Sequence, residues 1–137
     1  MRYTRKIFGY ECDIYGHLNN ANYLHILEEA RAEALEQMNT PIRWLKEQGL
    51  AIYVTRIELD YLRGIPLETQ VTVHTSWVKA SRVRSVWMQE VVDETGNVCA
   101  KAIVHGAFIK DGKPARISPE LYAHYRSFLH NEMPQKG

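Results

Sequence analysis

The sequence predicts an α+β domain in which a curved antiparallel sheet wraps around one long helix. Three observations predict it. A short β-rich segment, residues 2–8, opens the chain. One amphipathic helical stretch follows, roughly Asn20 to Met38. Four long β-rich runs come next, with no second long helix between them. A helix with an apolar stripe must bury it, and the sheet is the only large partner this chain supplies. The 137 residues fit one domain, taken as residues 1–137. The four later runs read as a consecutive meander.

In "RYTRKIF", Tyr3, Arg5 and Ile7 alternate with Arg2, Thr4, Lys6 and Phe8, as a strand requires. Residues 9–18 carry Gly9 and Gly16 and no apolar period, so they read as a loop. In the helix, Tyr23, Leu27, Ala30 and Ala34 recur near helical spacing, and Leu24, Leu35 and Met38 widen the stripe. Asn19 is the expected N-cap, and Asn39 with Pro41 stops the helix. "PIRWLKEQG" predicts one or two more turns, with Pro41 first and Gly49 as the C-cap.

The four β-rich runs are "AIYVTRIELDYL", "LETQVTVHTSWV", "RVRSVWMQEVV" and "NVCAKAIVHGAFI". In the second, Val71, Val73, Thr75 and Trp77 alternate with Thr72, His74, Ser76 and Val78. "DETGN" joins the last two as a hairpin turn, and "KDGK" predicts another. Ser118 to His130 reads as a closing helix, with Ser118 as N-cap and Pro119 at its first position. Both faces of residues 97–109 carry apolar groups, which predicts a subunit interface.

A hydrophobic content of 45% and a charged content of 24% fit a folded domain rather than a disordered chain. The net charge of +1 sets up no global field toward nucleic acid or an acidic membrane. Basic groups without an ordered aromatic platform also argue against nucleic acid. No apolar run approaches a membrane span, so no membrane insertion is expected. Cys12 and Cys99, with no signal-like segment, read as reduced thiols in a cytoplasmic protein.

The richest stretch is "ECDIYGHLNNANYL", Glu11 to Leu24, where polar residues crowd into the start of a hydrophobic helix. Asp13, Gly16-His17, Asn19-Asn20-Ala21 and Tyr23, followed by Glu28-Glu29-Ala30-Arg31, resemble the motif of hotdog-fold thioesterases of the 4-hydroxybenzoyl-CoA thioesterase-like branch. "GYECDIYGHLNNANYLHILEEAR" looks most like the long-chain acyl-CoA thioesterase subgroup. The likeness in strand order and length extends over nearly the whole chain.

The resemblance implies a hotdog fold, a five-stranded antiparallel sheet around one long central helix. It implies homodimers, often paired into homotetramers, with active sites between subunits. The reaction it implies is hydrolysis of an acyl-CoA thioester in fatty acid metabolism, with no cofactor and no metal. Asp13 matches the catalytic carboxylate, as base or nucleophile, and the Asn20 N–H or a neighbour would face the thioester oxygen.

Those roles have a physical basis. Thioester hydrolysis needs an activated attacking group and a stabilised oxyanion. The first N–H groups of a helix lack intrahelical partners and carry the positive end of its dipole. Asn19 and Asn20 fix the loop by capping, Gly16 permits a close backbone approach, and Tyr23 completes the motif on the substrate side. His17 either works on water or substrate, or is a structural histidine bonded to the loop.

Other groups receive plainer readings. Glu28, Glu29 and Arg31 suggest an ion-pair network in the core or at an interface. His25 with Glu28 falls short of a metal site. His74 and His105 read as structural, and Cys99 as core. The phosphates of coenzyme A call for exposed cations. Arg56, Arg63, Lys79, Arg82 and Arg84 are the candidates, with "VKASRVR" the best local cluster. Leu24, Leu27, Trp44, Leu45, Tyr53, Val54 and Trp77 are candidates to line an acyl tunnel. The competing readings are an aryl-CoA or acyl-carrier-protein thioesterase, and a non-catalytic acyl-CoA-binding protein of the same fold.

Overall fold

The computed structural model describes residues 1–129. The elements are β1 (Arg2–Lys6), a 3₁₀ turn (Gly9–Glu11), α1 (Asn22–Gln37), α2 (Ile42–Glu47), β2 (Leu50–Tyr61), β3 (Gln70–Ala80), β4 (Arg84–Val92), β5 (Val98–Lys110), β6 (Lys113–Pro114) and α3 (Pro119–Arg126). The last residue expected in the closing helix, His130, lies outside the described residues.

The sheet has the order β1-β3-β4-β5-β2, with the two-residue β6 paired to β5. All of its pairings are antiparallel. The short first strand and the four long ones are those expected, but their order is not a meander. Only β3, β4 and β5 run consecutively, while β2 pairs with β5 at the far edge. The helices stand between β1 and β2 in the chain, so the chain re-enters the sheet at its opposite edge. Residues 62–69 then carry it back. They are held by the Leu18 N–H on the Ile65 carbonyl at 2.7 Å and the Leu67 N–H on the Gly16 carbonyl at 3.1 Å.

The α1 stripe is buried as its spacing predicts: Tyr23, Ile26, Leu27, Ala30, Ala34 and Leu35 all lie inside. It packs into one core with alternating residues of the sheet, among them Val73, Trp77, Trp87 and Val104. Trp77 stacks on Trp87 with ring centres 4.5 Å apart, and Tyr125 of α3 closes on Trp77 at 4.4 Å. On β3, Val71, Val73, Thr75 and Trp77 are buried, which matches the expected alternation.

The helix start differs by two residues. Ala21, not Asn19, is the N-cap of α1, and it makes no side-chain cap. The Asn19 Oδ1 instead accepts the Ala21 N–H at 3.0 Å, and its carbonyl accepts the Asn22 N–H at 2.9 Å. Asn19 therefore closes a turn of its own before the helix, as a short amide side chain does readily. Asn39 ends α1 in the left-handed conformation at φ 62°. Pro41 is the N-cap of α2 and Gln48 its C-cap, with Gly49 one place beyond at φ 75°.

Candidate active site

Asp13 lies in a tight turn tied off by its own backbone. Its N–H donates to the His17 carbonyl at 2.8 Å, and its carbonyl accepts from the Gly16 N–H at 3.1 Å. One carboxylate oxygen, Oδ1, accepts the Tyr15 N–H at 2.8 Å and the His17 N–H at 3.3 Å. Oδ2 takes no hydrogen bond from the described residues. Gly16 turns the chain at φ 78°, a conformation that favours glycine. The side chain is thus oriented through one oxygen, with the other unengaged by the described residues.

The turn is docked on the segment that follows β2. Isolated bridges join Cys12 to Leu18 and His17 to Pro66. The His17 ring lies against the Gly64 backbone, where an added Cβ would stand 3.3 Å from two ring carbons. His17 therefore packs on the loop that positions Asp13. Arg63 is next to Gly64, so it belongs to the same end of the molecule.

Below the turn is a buried ion cluster. Glu11 is 5% exposed, pairs with the Arg5 guanidinium and accepts the Phe8 N–H at 3.0 Å. Arg5 also reaches Glu29 at 3.2 Å, and the Tyr3 hydroxyl donates to Glu29 at 2.7 Å. Burial and that carboxylate push the Tyr3 phenol up to about 12. The Glu11 carbonyl accepts the Asn19 N–H at 2.9 Å and the Asn22 side-chain amide at 2.8 Å. Glu11 thus links β1 to both sides of the helix start.

The expected Glu28-Glu29-Arg31 network does not form as one unit. Glu29 joins Arg5 and Glu11, whereas Arg31 donates to the neutral Gln89 side chain at 3.0 Å. Gln89 is fully buried and donates to the Leu27 carbonyl and the Thr75 hydroxyl, both at 3.0 Å. Successive helical residues point in different directions, which separates the neighbours.

The helix start is held from β2 as well. The Tyr61 hydroxyl donates to the Asn20 carbonyl at 2.9 Å, and the Tyr23 and Tyr61 rings meet edge to face at 5.0 Å. Tyr23 is 2% exposed, and burial pushes its phenol up to about 12. It packs in the core beneath the site. The Asn20 N–H has no acceptor among the described residues.

The molecule has an apolar cavity of about 290 Å³ between α1, α2 and β2. Three expected tunnel residues line it: Leu45, Tyr53 and Val54. Leu27 and Trp77 are instead sealed in the core, Leu24 is exposed, and Trp44 lines a different cleft against α3.

The basic turn stands at the other end of the sheet. Lys79, Arg82 and Arg84 flank the β3–β4 connection, whereas Asp13 sits near the start of β3. The 11 residues of β3 separate the two ends by roughly 35 Å at the rise of a strand. One subunit therefore does not bring this cluster to its own Asp13. The Arg82 Nε is also committed, donating to the Ile117 carbonyl at 2.8 Å.

Cys12 makes no case as a nucleophile, since burial and the Asp13 and Glu11 charges push its thiol up. Cys99 is fully buried, as expected. Among the described residues no three His, Cys, Asp or Glu side chains gather as a metal site would, and no helix is long and apolar enough to cross a membrane. Two residues of the site escaped the sequence reading. Tyr61 was one β-former among many. Glu11 had a faint signal, standing three places after the extended Phe8, where an acid can return to a free N–H.

With this geometry established, comparisons place the chain. The model of the thioesterase-like superfamily matches residues 9–124. The chain belongs to that superfamily. It is 34% identical over 101 residues to the long-chain acyl-CoA thioesterase FadM of Escherichia coli (strain K12), covering 72% of this chain and 75% of the relative. It is 29% identical over 109 residues to the acyl-CoA thioesterase YbgC of Haemophilus influenzae (strain ATCC 51907 / DSM 11121 / KW20 / Rd), covering 79% of each. Among solved structures, it matches the DHNA-CoA thioesterase of Staphylococcus aureus with a TM-score of 0.86 and 25% identity, over 92% of this chain and 88% of that one. The hotdog fold and the thioesterase class implied by the motif are both borne out.

Proposed function

We propose that this protein hydrolyses fatty acyl-CoA thioesters of medium to long chain, releasing the free acid and coenzyme A. The observation that carries the reading is the Asp13 carboxylate, held through Oδ1 with Oδ2 unengaged, in the loop that runs into the helix start. Oδ2 either takes a proton from the attacking water or attacks the thioester carbon itself. The carbonyl oxygen gains charge and is met by the Asn20 N–H at the positive end of α1. The C–S bond then breaks, and the coenzyme A thiolate leaves and takes up a proton; where Oδ2 is the nucleophile, water then hydrolyses the mixed anhydride, releasing the free acid and restoring the Asp13 carboxylate.

The substrate class rests on the relatives named for acyl-CoA hydrolysis and on the apolar cavity beside α1. Aryl-CoA hydrolysis is the second reading, favoured by the likeness to a DHNA-CoA thioesterase. Thiol release from saturated acyl-CoAs of graded length beside one aryl-CoA separates them. A kcat/KM that rises with chain length is expected, and a preference for the aryl substrate would sink the fatty acyl reading.

The working unit is a homodimer, the building block of the expected tetramer. Of the two sheet edges, β1 has five residues and includes charged Arg2 and Lys6, as protected edges do. β2 has 12 residues and exposes Tyr53 and Val54. Two β2 edges meeting antiparallel form a closed two-fold pair. Sedimentation at micromolar concentration is expected to show no monomer.

A further inference from the structure

Helix α1 carries a second stripe beside its buried one. Glu28, Arg31, Ala32 and Leu35 fall at helical spacing and line the cavity of about 290 Å³ between α1, α2 and β2. The short Ala32 side chain leaves room in that wall. Helix α2 contributes Lys46 to the same cavity, and Trp87 contributes an apolar face. Two cations and one acid thus stand in a lining that is otherwise mainly apolar.

These charges are not matched to one another. Neither Arg31 nor Lys46 is in an ion pair with a described carboxylate, and Glu28 pairs with no described cation. Arg31 is half-buried, and its described hydrogen bond runs from Nη1 to the neutral Gln89 Oε1 at 3.0 Å. Gln89 is fixed in turn by the Leu27 carbonyl and the Thr75 hydroxyl, so the guanidinium is held at the wall. Burial pushes the Arg31 guanidinium down from the ordinary arginine value, and the Glu28 charge offsets this only in part. A guanidinium presents its N–H donors in a planar fork, and a carboxylate can accept two of them at once. Lys46 is exposed and adds a second positive charge on the α2 side. Glu28 is exposed as well, where water screens it.

The cavity shares the seam between α1 and β2 with the proposed oxyanion site. The end of β2 is tied to the helix start through Tyr61 and Asn20, and the first residues of β2 wall the cavity. Arg31 lies nine residues beyond Asn22, about 14 Å along the helix axis. A chain with its thioester at the helix start thus meets Arg31 far from the reacting carbon. A plain alkyl end would face the guanidinium with hydrocarbon and leave its donors unmet, at a cost in free energy. We infer that Arg31 and Lys46 select acyl-CoA thioesters whose acyl chain ends in a carboxylate, the half-thioesters of medium-chain dicarboxylic acids.

The inference deepens the acyl-CoA reading and rests on it, and two measurements keep their failures apart. The first is calorimetric titration of wild type with a medium-chain fatty acid and with its neutral primary amide, which needs no turnover. The carboxylate is expected to bind at least about tenfold more tightly than the amide and to lose that advantage in Arg31→Met. Equal binding of the two in wild type, or an advantage that survives in Arg31→Met, would overturn the inference whether or not the protein hydrolyses acyl-CoA.

The second measurement compares kcat/KM for acyl-CoAs of equal chain length: one plain, one ending in a carboxylate, and one ending in the methyl ester of that carboxylate. The carboxylate is expected to lead the other two by at least about tenfold, chiefly through KM. Arg31→Met should bring all of them within about twofold of one another. A methyl ester that matches the carboxylate, or a plain chain that leads, would overturn the inference. Lys46 is exposed on α2, so Lys46→Met keeps the comparison open should Arg31→Met not fold. In Lys46→Met the lead should shrink by about threefold, and an undiminished lead would remove Lys46 from the site. No thiol release from any of these thioesters would defeat the acyl-CoA reading alone and leave the titration to decide the cavity.

Discussion

Tyr61, the last residue of β2, donates a 2.9 Å hydrogen bond from its hydroxyl to the carbonyl of Asn20, two residues before the first turn of α1. The bond clamps the peptide that leads into the helix from the sheet side. Glu11 clamps it from the other side through the Asn19 N–H and the Asn22 amide. The Asn20 N–H is therefore held in place before any substrate arrives, which is the condition for stabilising an oxyanion without reorganisation.

Tyr61→Phe tests that clamp. The ring and its contact with Tyr23 remain, and only one exposed hydrogen bond is lost. Stability should fall by no more than about 1 kcal/mol. The effect should appear in kcat, down about fivefold, with KM changed less than about twofold. Steady-state kinetics beside a thermal melt separate the two effects, and an unchanged kcat would remove Tyr61 from the account.

Glu11→Ala tests the ion cluster. It strands the largely buried Arg5 guanidinium with only the more exposed Glu29 as partner. Removing one member of a buried pair costs about 3 kcal/mol. Glu36→Ala breaks the surface pair with Arg43, whose side chains are 52% and 77% exposed, and should cost less than about 1 kcal/mol. Urea denaturation of the two variants measures the contrast, and equal losses would contradict it.

Asp93 makes the β4–β5 turn sensitive to acid. The Thr95 hydroxyl, then the Asn97 and Thr95 N–H groups, hold its carboxyl down to about 2, below the ordinary value of about 4. A carboxylate with a lowered folded-state pKa adds stability above its unfolded pKa and loses it as pH falls through the folded one. This contribution is complete above about pH 4 and disappears toward pH 2. Asp93→Asn should flatten the stability profile over that interval, as read from melts between pH 5 and pH 2. A profile identical to wild type would reject the assignment.

Much of this was legible from the residues because the signals were local. The α1 stripe, the Asn39 stop and the turns at Gly96 and Asp111-Gly112 each depend on a few neighbours along the chain, and each is where it was expected. What escaped depends on pairing at a distance. No pattern within β2 says that it joins β5 rather than β3, because both partners offer similar apolar faces. An acid in a loop looks solvated, so the burial of Glu11 against Arg5 is invisible without the fold. The basic cluster was visible, but its distance from Asp13 depends on which way β3 runs. Asn19 was read as the cap because its side chain suits the role, and the extra turn before α1 depends on bonds to residues 11 and 61.

The central claim is that Asp13 performs the chemistry. The measurement that tests it most directly is thiol release from the best acyl-CoA substrate by wild type and Asp13→Asn, with thermal melts of both. Asn keeps an oxygen to accept the Tyr15 N–H and removes the charge, so the fold should survive. The account predicts a kcat reduced at least about hundredfold at nearly unchanged melting temperature. A variant that turns over like wild type would contradict it.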